Sequence, residues 1–399
     1  MQNIDLQMNN GNRIQRISFV CVMLCGILFI LFGVLPKVPS PVTRMLRPIF
    51  IALCLVTYPL SRYYKLGSQK IHVISLIYYT MIFLNFPMSS IAVEAYLSAA
   101  LFMVFFFFAS NRLWSEREIK YLFITLIVAC NIQALIVLVS NPTLLHSSGT
   151  SHLNFWGLSV NRNPVAYALC IGPLCSVLAL LYSRHNRSIF KDAFYVISCA
   201  IVYFTVFAIG CRGAFLSATL GCICIVWQKT RDCKNAAERF TRKALVVILV
   251  LAALTVAVSV SKGTYSERLF QFDEEANDSG RDVLWEEAWE LIDEKPVFGG
   301  GFDYWESTGH LMGTHNTFLT FMVSTGWIGG ILLGLFLIAA VFEMLKTRNL
   351  IPVAFMAEVL LHSWAEPGMD YYAYIPLTLA FIITRYLQYQ SNNLERIFC

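Results

Sequence analysis

Charge is what this chain has least of. Only 14% of its 399 residues are Asp, Glu, Lys or Arg, against 57% hydrophobic, which rules out an ordinary soluble globular domain. Cysteine is missing from the whole stretch 262–314, and the twelve cysteines elsewhere lie almost wholly in the apolar runs or on the expected cytoplasmic side. That excludes a disulfide framework in the long polar segment, and no zinc-ligand spacing is present. No Asp-x-Asp pair stands near the best candidate residues, so no metal clamp is indicated. The run of acids at Asp273–Glu275 reads more simply as a solvated loop face. A secretory cleavage pattern is lacking after the first apolar run, which is therefore expected to stay as an uncleaved first span. The modest net charge of +5 shows no basic tract of a nucleic-acid reader.

What the chain has instead is length in apolar runs. A helix needs about 20 such residues to cross the hydrocarbon, and twelve runs come near that length: 17–35, 46–61, 71–86, 90–109, 119–140, 164–183, 193–210, 213–228, 244–261, 327–345, 350–364 and 371–389. The expectation is an all-α polytopic integral membrane protein of about 12 transmembrane helices. Three divisions follow: 1–261 with the first nine spans, 262–326 as a long loop carrying the chemistry, and 327–399 with the last three spans and a tail. With the N-terminus inside, the cytoplasmic connections collect 21 of the 30 Lys and Arg residues, as the positive-inside bias requires. Both termini are then expected inside, and the net charge suggests contact with anionic lipid of the inner leaflet. Mid-span segments are nearly free of charge apart from Glu94 and Glu358, and the halves show no repeat. A secondary transporter would instead want charged residues at mid-span and paired broken helices in repeated halves.

Two outer connections are long enough to fold, 141–163 and 262–314, and the second holds 13 of the 25 acidic residues. Within it, RDVLWEEAWELIDEKP places Trp285, Ala288, Trp289 and Ile292 on one helical face, with Glu286, Glu287, Glu290 and Asp293 turned away. Ser279 is positioned to cap that helix and Pro296 to end it. The glycines 299–301 then turn the chain toward Tyr304 and Trp305, which could stack on sugar rings or anchor at the interface. His315–Asn316 ends the segment, directly before an apolar run. A lone histidine there can simply cap a helix, but an imidazole can also take a proton from a sugar hydroxyl. Asn316 could orient the ring or bond a hydroxyl.

Outward arginines supply the other half of the chemistry. Arg212, in AIGCRGAF, falls between two apolar runs with almost no loop, where a guanidinium either snorkels or meets an anion. Arg281 opens the loop helix and could equally pair with its acidic neighbours. Arg162, before Pro164, could be an interfacial anchor. Lys262 and Arg268 read as interface residues. Converging guanidinium forks match phosphate oxygens and could hold a lipid pyrophosphate without metal. His362, Glu366 and Asp370, in HSWAEPGMDYY, form a secondary cluster that helix capping and aromatic anchoring explain adequately.

His315 and Asn316, followed by nine residues, Gly326, two residues and Gly329, resemble the signature of bacterial O-antigen ligases. CRGAFLSA resembles that family's arginine-bearing span start, SGRDVLWEEAWELIDEKPVFGGG its loop segment, and Arg162 a basic position in relatives. The resemblance implies a GT-C-like glycosyltransferase of the bacterial inner membrane with its site toward the periplasm. It would move undecaprenyl-pyrophosphate-linked O-antigen onto a sugar of the lipid A-core oligosaccharide, using no nucleotide, metal or other cofactor. Arg212 and Arg281 would hold the pyrophosphate with help from Arg162, and His315 would activate or orient the acceptor hydroxyl for inverting attack. An O-antigen polymerase of the same superfamily is the alternative. A protein-glycosylating transferase is a weaker one, because those usually carry a larger C-terminal portion.

Overall fold

The computed structural model describes residues 114–145, 152–155, 158–182, 188–232, 280–301, 304–310, 313–365 and 374–390, with a few isolated positions besides. Seven of the expected spans fall in these residues. The spans at 17–35, 46–61, 71–86, 90–109 and 244–261 lie outside them or touch them at isolated positions only, and so do Glu94, Lys262, Arg268, Asp273–Glu275, Glu366 and Asp370.

The first helix, α1 (Glu116–Ser140), begins at a capping box. The Ser115 hydroxyl accepts from the Glu118 amide, and the Glu118 carboxylate accepts in return from the Ser115 amide. A two-stranded antiparallel hairpin follows, β1 (His152–Phe155) and β2 (Leu158–Asn161), with His152 opposite Asn161. It is the one departure from all-α structure among the described residues. The Asn141 side chain holds it to the end of α1 through the Asn154 amide (2.7 Å) and carbonyl (2.8 Å). Next come α2 (Arg162–Tyr182), α3 (Ile189–Ile209) and α4 (Arg212–Arg231). Gly210, left-handed at φ 69°, ends α3, so that only Gly210 and Cys211 separate it from α4.

The amphipathic helix α5 (Arg281–Glu294) and the short α6 (Tyr304–Ser307) precede α7 (Thr317–Leu345), α8 (Ile351–Ala365) and α9 (Tyr374–Arg385). Among the described residues α1, α2, α3 and α7 are long and apolar enough to cross a membrane, and α8 and α9 are shorter apolar helices. This is a helical membrane protein. α4 has the length, but its apolar character thins toward Lys229 and Arg231.

Helices α1–α4 and α7–α9 share one apolar core that includes Phe123, Leu169, Val206, Ala214, Phe336, Phe355 and Phe381. Without a hydrophobic force between helices in lipid, close approach by small residues does much of the holding. A Cβ on Gly172 would stand 2.9 Å from both Cys130 and Val202, and one on Gly221 2.9 Å from Leu174. Two polar knots tie one end of the bundle, here the far end. The Leu350 amide donates to Gln228 (3.0 Å) and the Tyr182 hydroxyl to Asp232 (3.0 Å).

Candidate functional site

At the other end of the bundle, three helices begin with the three arginines named from the sequence. Arg162 is the first residue of α2, Arg212 of α4 and Arg281 of α5. There the backbone N–H groups have no intrahelical acceptor and the helix dipole is positive, so a guanidinium adds to a field that favours an anion. α2 and α4 have no acidic residue in the first turn to offset it, while α5 has Asp282. All three side chains are half-buried.

Contacts running through α8 tie these helix starts together. Gln228 meets Leu350 at the far end, so counting sixteen residues back along α4 and forward along antiparallel α8 brings Arg212 to the level of the end of α8. Near that end His362 is buried and stacks on Tyr167 of α2, rings 3.9 Å apart and 10° from parallel. Two residues on, Trp364 meets Trp285 of α5 edge to face at 6.0 Å. The same Trp285 donates its indole N–H to the Thr314 carbonyl at 2.9 Å, next to His315. Arg281 lies one turn before Trp285 on α5. Arg162, Arg212, Arg281 and His315 thus belong to one end of the molecule.

The backbone at His315 explains how the histidine is presented. It adopts φ 51°, a left-handed conformation that costs an L-residue about 1–2 kcal/mol, and its surroundings hold it there. The buried Thr314 hydroxyl donates to the Asn316 carbonyl (2.9 Å) and bonds the Thr320 hydroxyl (2.7 Å). Asn316 is the N-cap of α7, its side-chain oxygen accepting from the amides of Phe318 (2.9 Å) and Leu319 (3.2 Å). That amide oxygen therefore serves the helix, and Asn316 positions His315 from a buried place.

α7 is longer than the span expected at 327–345. It starts at Thr317 and is interrupted at Gly326, whose φ 64° and ψ −168° are not helical. The 296–301 loop enters the break as a clasp. The amides of Gly300 and Gly301 donate to the Val323 and Ser324 carbonyls (both 3.0 Å), and the Trp327 amide donates to the Pro296 carbonyl (2.7 Å). A Cβ at Gly299 would lie 2.3 Å from the Ser324 carbonyl carbon, and one at Gly326 2.4 Å from the Val297 carbonyl oxygen. At Gly329 it would lie 1.7 Å from the Thr325 hydroxyl, which donates to the Phe321 carbonyl. The spacing from His315 to Gly326 and Gly329 is thus the length of a capped helical segment ending at a docking point for the loop.

α5 packs on that segment through Leu284, Ala288, Leu291 and Ile292, against Leu319, Met322, Val323 and Trp305. This corrects the expected face: Trp289 is 43% exposed, and Leu284 and Leu291 take the buried places. The N-cap of α5 is Gly280, left-handed at φ 65°, with no side-chain cap hydrogen bond, and Ser279 lies outside the described residues. Pro296 follows the helix end as expected.

Tyr304 and Trp305 sit differently from a rim of sugar platforms. Trp305 is 4% exposed and its ring is stacked on His310 at 4.0 Å. Tyr304 lies against Gly300, with the Lys295 ammonium 3.9 Å over its ring and its hydroxyl donating to Glu294 at 2.5 Å. That bond to a carboxylate raises the Tyr304 pKa above its ordinary value. Both residues brace the clasp. His310, unnoticed in the sequence, joins α6 to α5, its Nε2 lying 3.0 Å from a Glu287 carboxylate oxygen. Trp285 and Trp364 were visible as aromatics, but no spacing rule brings them together. Glu358, one turn before His362, is buried, with no hydrogen-bond partner for either oxygen among the described residues. Beside α7 an apolar groove of about 510 Å³, lined by Phe318, Leu337, Val341 and Leu360 among others, is wide enough for a hydrocarbon chain.

Comparison with known families places this geometry. Residues 197–334 match the family model described as O-antigen ligase, from α3 through the clasp to the middle of α7. Within that segment the chain is similar to the O-antigen ligase family, and the match supports a relation to it. No curated protein matches it. A chain from the structure titled "Structural coordination of polymerization and crosslinking by a peptidoglycan synthase complex" superposes with a TM-score of 0.47 at 14% identity, covering 83% of this chain and 100% of that one. That is below the level at which a shared fold follows. The family groups ligases and polymerases of lipid-linked glycans, and its match contains Arg212, Arg281, Asn316 and His315.

Proposed function

We propose that this protein is an O-antigen ligase. On this reading it moves finished polysaccharide from undecaprenyl pyrophosphate to a sugar of the lipid A-core oligosaccharide at the periplasmic face of the inner membrane. Both termini are cytoplasmic, the transmembrane architecture is GT-C-like, and 262–326 is the periplasmic segment between the first nine spans and the last three. The observation that carries it is the set of three arginines, each opening a helix at the end of the bundle that also presents His315.

In this mechanism the guanidinium groups of Arg212 and Arg281, aided by Arg162, hold the pyrophosphate through charge-assisted bonds and take up the charge that develops as it leaves. The acceptor hydroxyl oxygen attacks the anomeric carbon, and the bond from that carbon to the phosphate oxygen breaks. The hydroxyl proton passes to His315, and the anomeric centre inverts. The electron pair leaves with the lipid pyrophosphate, so the step balances without a nucleotide or metal. The groove beside α7 gives the prenyl chain an apolar path away from the site.

A strain deleted for the gene tests the reading by lipopolysaccharide gel and by the fate of the lipid-linked glycan. Long polymer accumulating on undecaprenyl pyrophosphate above a bare core is the expected result. A core carrying a single repeat unit would instead identify a polymerase.

A further inference from the structure

We propose that the corner formed by Trp289, Val297, Phe298 and Trp327 is a membrane-docking surface, seating α5 and the clasp in the headgroup region of the bilayer at the site end. Trp289 and Trp327 are 43% and 46% exposed, and Val297 and Phe298 are each 52% exposed. The four are contiguous: the two indoles lie 5.9 Å apart, the Trp327 amide bonds the Pro296 carbonyl, and Val297 abuts Gly326. An apolar patch of this kind in a polar loop calls for a partner.

The occupant follows from α7. Below the Gly326 break, Trp327, Ile331, Leu335, Ile338, Phe342 and Leu345 are all exposed, between 46% and 69%. Their spacing of three and four residues makes one continuous stripe on a helix that is the least buried of the four long apolar ones. That is the face a spanning helix turns to lipid. Residues 327–345 rise about 28 Å, close to the hydrocarbon thickness of about 30 Å, so Trp327 stands at its edge, where tryptophan prefers to lie. The corner continues this stripe past the break onto α5 without a gap. Glu286, Glu290 and Asp293 flank Trp289 on α5 and are at least partly exposed. They limit the depth to the indole itself and favour zwitterionic over anionic headgroups. The consequence is positional: α5 is pinned to the bilayer two turns from Arg281, which fixes the height of that guanidinium at the level of lipid phosphates.

The test uses the full-length protein in phosphatidylcholine nanodiscs, with and without lipids brominated near the headgroup, which quench indole emission on contact. The wild-type emission minus that of Trp289→Phe isolates Trp289, and it is expected to fall at least twofold in brominated lipid. Val297→Asp with Phe298→Asp is expected to melt like wild type and to lose most of that quenching. Emission from Trp289 that ignores brominated lipid would overturn the proposal. So would quenching by soluble core oligosaccharide in place of lipid, which would make the corner a glycan platform. Unchanged quenching in a folded double-Asp variant would also overturn it.

Discussion

The bundle and the clasp are held by opposite means. Between α1, α2, α3 and α4 the contacts are mostly side-chain packing around glycines such as Gly172 and Gly221, with scattered side-chain ties such as Tyr203 to Thr219 at 2.6 Å and Tyr182 to Asp232 at 3.0 Å. Between the 296–301 loop and α7 the contacts are backbone hydrogen bonds across an interrupted helix, closed over glycines that leave no room for a side chain. Packing tolerates small readjustments, because neighbouring side chains can shift. A backbone clasp fixes the loop and the helix to one register. The protein thus places its tolerance in the scaffold and its rigidity beside His315.

The largest effect expected is at His315. His315→Ala should lower turnover by about 10²–10⁴-fold while the melting temperature stays near wild type. His315→Gln, which keeps a hydrogen bond without basicity, should be as inactive if the imidazole takes a proton. Turnover retained by both would remove His315 from the chemistry.

Breaking the clasp should come next. Gly299→Ala and Gly326→Ala each force a Cβ into backbone at a left-handed φ, and overpacking of this kind costs about 1–3 kcal/mol. Turnover should fall much further than stability, because α5 and His315 lose their common register. Gly172→Ala in the bundle should cost a similar amount in a denaturation experiment yet leave the KM for the lipid donor unchanged. If Gly172→Ala and Gly299→Ala reduce turnover equally, the contrast between scaffold and clasp fails.

Asn316 offers a finer cut. Loss of an N-cap costs about 1 kcal/mol, so Asn316→Ala should be mildly unstable and slow, whereas Asn316→Asp and Asn316→Ser, which also cap, should keep most activity. A sugar-binding amide would tolerate neither replacement.

The smallest effect is at Tyr304. Its hydrogen bond to Glu294 raises the folded pKa above the ordinary tyrosine value. The folded state therefore holds the proton more tightly, and this contribution is complete below the unfolded pKa of about 10. It is lost as pH rises through the folded value. A melting series at alkaline pH should show a weak decline that Tyr304→Phe removes.

Much of this was legible in the sequence, for physical reasons. The four long apolar helices were expected from length and composition alone, and the near-absent loop before Arg212 marked the tight α3–α4 turn. The apolar run directly after His315–Asn316 marked where α7 begins, but its continuity with the span at 327–345 was not legible, because the clasp holds the two segments together across the Gly326 break. The face of α5 was misjudged because Leu284 and Leu291 compete with Trp285 and Trp289 for the buried side, and the partner surface decides. Trp305 and Tyr304 read as open aromatics because an aromatic in a polar loop gives no sign of what stacks on it. His362 on Tyr167 and Trp364 on Trp285 pair residues far apart in sequence, and no local pattern encodes such a contact.

The central claim is that Arg212, Arg281 and His315 act as one site on a lipid pyrophosphate. Purified protein, a lipid-pyrophosphate-linked glycan and core oligosaccharide, without added metal or nucleotide, give the direct measurement. The account predicts glycan transfer by wild type, with loss in Arg212→Ala and Arg281→Ala through weaker donor binding and in His315→Gln at saturating donor. Donor binding unchanged in both arginine variants would contradict it.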